Sequence, residues 1–316
     1  MTWSNHTSVT EFVLLGFSGL SRELQLVLFG AVLVIYMITL AGNIMAIVII
    51  SADPLLQKPM YLFLKNLSVI EISFPTSVVP KMLRDILSKD KTISFLGCAA
   101  QMALFFIPGQ NECLLLAVMA YDRYVAICDP LHYSTVMNWR SCIYLILSTW
   151  LVSFLISLAQ TIFIFSLSYC GPNQINHFFC DFSPVVDLAC GDTLMNKVSI
   201  FADAVIVLLT PFTLIIFSYI NILSTILRIR SVEGKRRAFS TCSSHLTSVA
   251  LFYGATISVY MFSFAQTRDT DKFSSLLYCI VTPMLNPMIY CLRNKEVKHA
   301  FQNFIGRKLF RDHEHM

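Results

Sequence analysis

The chain has 316 residues, 56% of them hydrophobic and only 13% charged, with a mean hydropathy of +0.66. A water-soluble fold of this length cannot hide so much apolar surface, so the composition places the protein in a membrane. The formal net charge of +4 points to anionic lipid or an acidic partner and not to nucleic acid.

The tail 1–23 is short and polar apart from the patch Phe12-Val-Leu-Leu-Gly-Phe17. It lacks a basic segment followed by a short apolar core, so no cleavable signal peptide is expected. Asn5-His6-Thr7 is an N-glycosylation sequon with Asn5 as acceptor. Seven stretches then reach the length of a bilayer-crossing helix: about 24–50, 60–79, 97–119, 142–165, 198–227, 246–262 and 273–292. Pro75, Pro108, Pro211 and Pro283 fall inside or near them, which neighbouring helices and hydroxyls in a membrane can accommodate. The expected fold is an all-α membrane protein, a seven-transmembrane helix bundle forming one domain over 1–316. Beyond the last stretch, in the tail 293–316, Val297, Ala300, Phe301, Phe304 and Ile305 share one helical face. They predict a short amphipathic C-terminal helix lying on the inner membrane surface.

Charge placement orients the bundle. With the N-terminus outside, 15 of the 23 basic residues fall on the cytoplasmic side, which is the sense of the positive-inside rule. Cys98, Cys170, Cys180 and Cys190 then face an oxidising compartment, where disulfides are their natural use and a metal site at His177-Phe-Phe-Cys180 the minor reading. Four cysteines permit three connectivities. The other six, Cys113, Cys128, Cys142, Cys242, Cys279 and Cys291, read as free thiols.

Four ionisable groups stand out against the apolar background. Asp122-Arg123 ends the third stretch, where a charged pair needs water or a partner. Glu71 and Glu112 are the only glutamates inside the stretches. Two ionised carboxylates side by side would repel, so they either share a proton or hold a cation.

The run Met119-Ala-Tyr-Asp-Arg-Tyr-Val-Ala-Ile-Cys128 resembles the signature of the olfactory receptors, a group of the rhodopsin-like G-protein-coupled receptors. Pro59–Ser68, Ser218-Tyr219, Arg237–His245, Pro283–Tyr290, Gly42-Asn43 and Trp150 fit the same family, so the resemblance reaches all seven stretches. It implies a switch in which Arg123 is held by Asp122 and later meets a G protein, with Tyr124, Tyr219 and Tyr290 at the same inner cavity. It picks Cys98–Cys180 and Cys170–Cys190 among the connectivities. It implies no cofactor, and sodium is the only ion it brings in, near Glu71, Glu112, Asn43 and Asn286.

The resemblance also places a ligand pocket between the outer halves of helices 3, 5, 6 and 7. By helical spacing Phe105, Phe106, Gly109, Gln110 and Cys113 share a face, as do Tyr253, Thr256, Ile257 and Tyr260. Asp203, Ala204 and Val207 on helix 5 and Leu276 and Cys279 on helix 7 complete the set, with Asp181 and Phe182 as a cap from the outer loop. Phe105 stands where aminergic receptors carry aspartate, so a protonated amine is not an obvious ligand.

The implied function is an odorant receptor that binds a small, volatile, mostly apolar molecule and raises cAMP through a stimulatory, olfactory-type heterotrimeric G protein. Its expected location is the plasma membrane of olfactory sensory neuron cilia. The competing reading, a transporter or channel, calls for inverted repeats that the sequence does not show. An enzyme is not expected: no His-Glu-x-x-His or Gly-x-Ser-x-Gly motif occurs.

Overall fold

The computed structural model describes residues 9–262, 268–293 and 296–302. Twelve helices are named in chain order: α1 Arg22–Ala52, α2 Pro59–Thr76, α3 Val79–Leu87, α4 Phe95–Cys128, α5 Tyr133–Val136, α6 Trp139–Phe165, α7 Phe182–Val186, α8 Leu194–Ala204, α9 Thr210–Arg228, α10 Val232–Phe262, α11 Arg268–Leu276 and α12 Thr282–Arg293. The seven spans are α1, α2–α3, α4, α6, α8–α9, α10 and α11–α12, followed by a further helical segment at 296–302.

Central placement of α4 follows from its residues. It packs against α2, α6 and α9, and its buried side chains run from Cys98 to Val125 around the helix. By contrast α1, α6 and α9 present Val27, Val34, Leu151, Leu155, Phe217 and Ile220 outward. In water such faces would be unfavourable, whereas hydrocarbon solvates them.

Several limits differ from those read in the sequence. The third span runs to Cys128 and not to 119, because Asp122 and Arg123 are buried inside the protein and do not mark its edge. The sixth starts at Val232 and not at 246, its polar first turns being solvated rather than lipid-facing. The second breaks at Ser77-Val78, just before Pro80, which cannot supply a backbone N–H to continue the ladder. The Ser77 carbonyl at the break accepts Gln101 Nε2 at 3.2 Å instead. Five-residue π turns, Val205–Leu209 and Leu277–Val281, precede Pro211 and Pro283 by one residue each. A wider turn there absorbs the hydrogen bond that proline cannot make.

The outer end carries a feature that the helical pattern does not announce. Three short strands, β1 Glu11–Leu14, β2 Thr92–Ser94 and β3 Gln174–Ile175, form a sheet in the order β2-β1-β3. β1 pairs antiparallel with β2 (Phe12 opposite Ile93) and parallel with β3 (Leu14 opposite Ile175). Phe12 and Leu14 point inward by the two-residue period, and Phe12 lies among Phe95, Phe165 and Tyr169. Gly16, at φ +49°, turns the chain out of the strand in a conformation that a side chain would strain. At the other end, Val297 and Ala300 of the 296–302 segment are buried against the bundle. These two belong to the face that the sequence pattern assigned to the amphipathic helix; Phe304 and Ile305 lie outside the described residues.

Candidate functional site

The inner switch is built by α4, α5, α9 and α10. Asp122 is 1% exposed, and its Oδ2 lies 3.9 Å from Arg123 Nε, a loose ion pair. Its closer partner is the Tyr133 hydroxyl, which donates to Oδ1 at 2.8 Å. Burial and the Asp122 charge hold the Tyr133 phenol above its ordinary value, so it stays a donor. Tyr219 on α9 meets His245 on α10 at 2.7 Å, and His245 Nε2 lies 3.1 Å from the Leu116 carbonyl of α4. A carbonyl only accepts, so Nε2 carries the proton and Nδ1 accepts from Tyr219. One imidazole thus ties three helices together. Tyr124 packs beside Ile222, Ile226 and Cys242, while the Tyr290 side chain lies outside the described residues.

Sequence reasoning missed Tyr133 and His245 as site residues. His245 closes the quoted motif Arg237–His245, but a lone histidine shows its role only when packing reveals both ring partners.

One turn deeper, Glu71, Glu112 and Asn286 are buried together. Asn286 Nδ2 donates to Glu71 Oε1 and, at 3.4 Å, to Glu112 Oε1. Glu71 Oε2 and Asn286 Oδ1 find no partner among the described residues. Asn43 does not join them. Its amide donates to the Thr39 carbonyl at 3.0 Å and to the Pro283 carbonyl at 3.2 Å, fastening α1 to the start of α12.

In the outer half of the bundle, several of the residues grouped by helical spacing are buried among aromatic side chains. Phe105 sits between Phe74 and Phe179, both with ring centres at 4.5 Å, and Phe106 stacks on Phe182 at 3.6 Å. The outer loop therefore closes on α4 through aromatic faces. Gly109 allows Phe74 to approach, since a Cβ there would come within 3.1 Å of the ring. Cys113, Val207, Tyr253, Thr256 and Cys279 are buried. The Thr256 hydroxyl is spent on the Phe252 carbonyl at 2.8 Å. Ile257, one residue and about 100° around from Thr256, is 39% exposed. The Tyr260 side chain and Asn5 lie outside the described residues. Gln110 Nε2 donates to Asp203 Oδ2 at 3.0 Å, joining α4 to α8.

Above the chamber the structure bonds Cys98 to Cys180 and Cys170 to Cys190, with Cα separations of 5.6 and 5.9 Å. Cys180 is thereby unavailable as a thiolate ligand beside His177. Gln101, also missed, accepts the Cys180 N–H at 3.1 Å and fixes the outer loop to α4 next to the disulfide.

This architecture matches squid rhodopsin, with a TM-score of 0.73 over 92% of this chain and 87% of that one; at 18% identity the likeness speaks for the fold alone. The fold is that of a rhodopsin-like seven-helix membrane protein. The family described as Olfactory receptor matches residues 32–308. Olfactory receptor 10A4 of Homo sapiens is 52% identical over 98% of both chains, and Olfactory receptor 10C1 of Homo sapiens is 50% identical over 96% and 97%. Olfactory receptor 5AR1 of Mus musculus is 45% identical over 98% and 99%. The chain belongs to the olfactory receptor family. It is therefore a multi-pass membrane receptor and not an enzyme, and the transporter reading falls with that membership.

Proposed function

We propose that this receptor takes a small, mostly apolar, volatile ligand into the chamber between the outer halves of α4, α8–α9, α10 and α11–α12, and signals through a stimulatory, olfactory-type G protein to raise cAMP. The whole chain acts as one receptor domain, since one continuous core runs from Phe12 to Phe301. The observation that carries the reading is the path along α4. Gln110 bonds Asp203 of α8, Leu116 receives the α9–α10 latch, and Asp122-Arg123 lies toward the inner end. A ligand that shifts α10 in the chamber works against the Tyr219–His245–Leu116 linkage at its inner half. Release of that linkage frees Arg123 for a G protein.

The disulfides and β1 share one end of the bundle, and disulfides form in an oxidising compartment, which supports an extracellular N-terminus with Asn5 open to glycosylation. The plasma membrane of sensory cilia is the matching location. Glu71 Oε2 and Asn286 Oδ1, both buried and unpartnered among the described residues, fit a sodium ion together with Glu112. A cation there would neutralise the carboxylates without a shared proton.

The test is Arg123→Ala. At surface density equal to the parent it should bind ligand and produce no cAMP. Normal signalling by this variant would remove the inner end of α4 as the coupling element.

A further inference from the structure

Two buried acceptors, one on α4 and one on α8, lie beside each other with no donor among the described residues. Gln110 is 6% exposed, and its Oε1 has no partner among the described residues. Asp203 is half-buried, but its Oδ1 is shielded from solvent and equally unpartnered. The two side chains are held as a pair by the bond from Gln110 Nε2 to Asp203 Oδ2 at 3.0 Å. That bond uses one of the two N–H donors of the amide and directs it at the carboxylate. What remains without a donor is Oε1 of one residue and Oδ1 of the other. A third group, the Tyr253 hydroxyl, is also buried and unpartnered. It belongs to α10, and its electrostatic neighbour Cys113 is one turn inward of Gln110 on α4. Phe212 packs against the Tyr253 ring with centroids 4.6 Å apart, and Phe106 and Val207 are buried in the same core.

We infer that the head group recognised in this chamber is a hydrogen-bond donor bearing positive charge, and that the ligand class is small alkylamines. The inference rests on the chamber being the ligand site. An ammonium has several N–H donors and no acceptor, so it satisfies Oε1 and Oδ1 together. Its charge also answers a carboxylate that is otherwise supported by one neutral amide in an apolar wall, an arrangement that is unfavourable to bury alone. An aldehyde, ketone or ester presents only an acceptor, which the Tyr253 hydroxyl can meet, and leaves both Oε1 and Oδ1 without a donor. An alcohol brings one donor and meets half of the need. Selectivity therefore comes as much from rejecting carbonyls as from holding amines. The carboxylate on α8 does here what Phe105 on α4 cannot.

The test uses linear alkylamines from butyl to octyl with the alcohols, aldehydes and alkanes of matching length. Two readouts are taken: cAMP in cells, and the thermal midpoint of the purified receptor in detergent. The amine of a given length should be at least about tenfold more potent than its aldehyde and should raise the thermal midpoint. Asp203→Asn, which keeps the shape of the side chain, should weaken the amine by about tenfold or more and leave the alcohol within a few-fold. Aldehydes or alkanes that match the amines in the parent receptor would overturn the inference, and so would amines that fail to shift the midpoint at millimolar concentration. The parent-only comparison decides the matter even if the variant does not reach the surface. Amines that stabilise the receptor without producing cAMP would uphold the head-group assignment and remove the proposed coupling. Responses confined to aldehydes would do the opposite.

Discussion

Asp181 accepts the Phe182 N–H at 2.7 Å at the start of α7, with its carboxyl almost wholly buried. Burial pushes that carboxyl up from 3.8 to about 6. Between those values the folded protein binds more protons than the unfolded chain, so stability falls as pH rises through the window. The penalty is complete above about 6 and amounts to the order of 3 kcal/mol. Asp181→Asn keeps the accepting oxygen and removes the charge. The thermal midpoint of the solubilised variant should exceed that of the parent at pH 7.5, and the gap should close by pH 4. An equal gap at both values would show that the charge is not the cause. Legibility at this scale follows a simple physical line. Glu71, Glu112, Asp122 and Arg123 stand out because charge in an apolar run is costly wherever it packs. Tyr133, Gln101 and His245 do not stand out, because a neutral polar side chain near a helix end is ordinary until its partner is known.

The helices themselves are written in runs of apolar residues, and the places where they begin or break reflect what lies beside them. Pro80 ends α2 where Gln101 can take the orphaned Ser77 carbonyl, and Pro211 follows a π turn. β1 stayed hidden because four residues of alternating burial carry little pattern, and its partners, Ile93 opposite Phe12 and Ile175 opposite Leu14, are far away in the chain. The linkage between elements with the clearest consequence is His245. It holds α10 to α9 at 2.7 Å and to α4 at 3.1 Å, the first bond part-buried and the second buried. His245→Phe retains the ring and loses both. At about 1 kcal/mol for each bond, an equilibrium between closed and open inner ends shifts by up to about 30-fold toward open. Basal cAMP without ligand should rise several-fold at equal surface density. Basal output at or below the parent level would mean that the latch does not hold the inactive state.

Across the whole bundle, the chamber and the switch lie at opposite ends of α4, with the Glu71–Glu112–Asn286 cluster between them. That cluster joins α2, α4 and α12, so whatever neutralises it biases how these three helices pack. A shared proton and a bound sodium both remove the repulsion, yet they respond differently to the medium. A sodium ion that favours the closed packing makes agonists weaker as external sodium rises, because ligand and ion then prefer different states. A proton shared between carboxyls does not respond to sodium. Glu112→Gln separates the two. Its amide can donate to Glu71 in place of the proton, which keeps the cluster satisfied, but it removes a negative charge that sodium needs. In the parent, exchanging sodium for a bulky organic cation should increase agonist potency several-fold. In Glu112→Gln the potency should be the same in both media. A parent receptor indifferent to the exchange would assign the cluster to a shared proton. A variant that keeps the parent's full sodium response would place the ion elsewhere in the bundle.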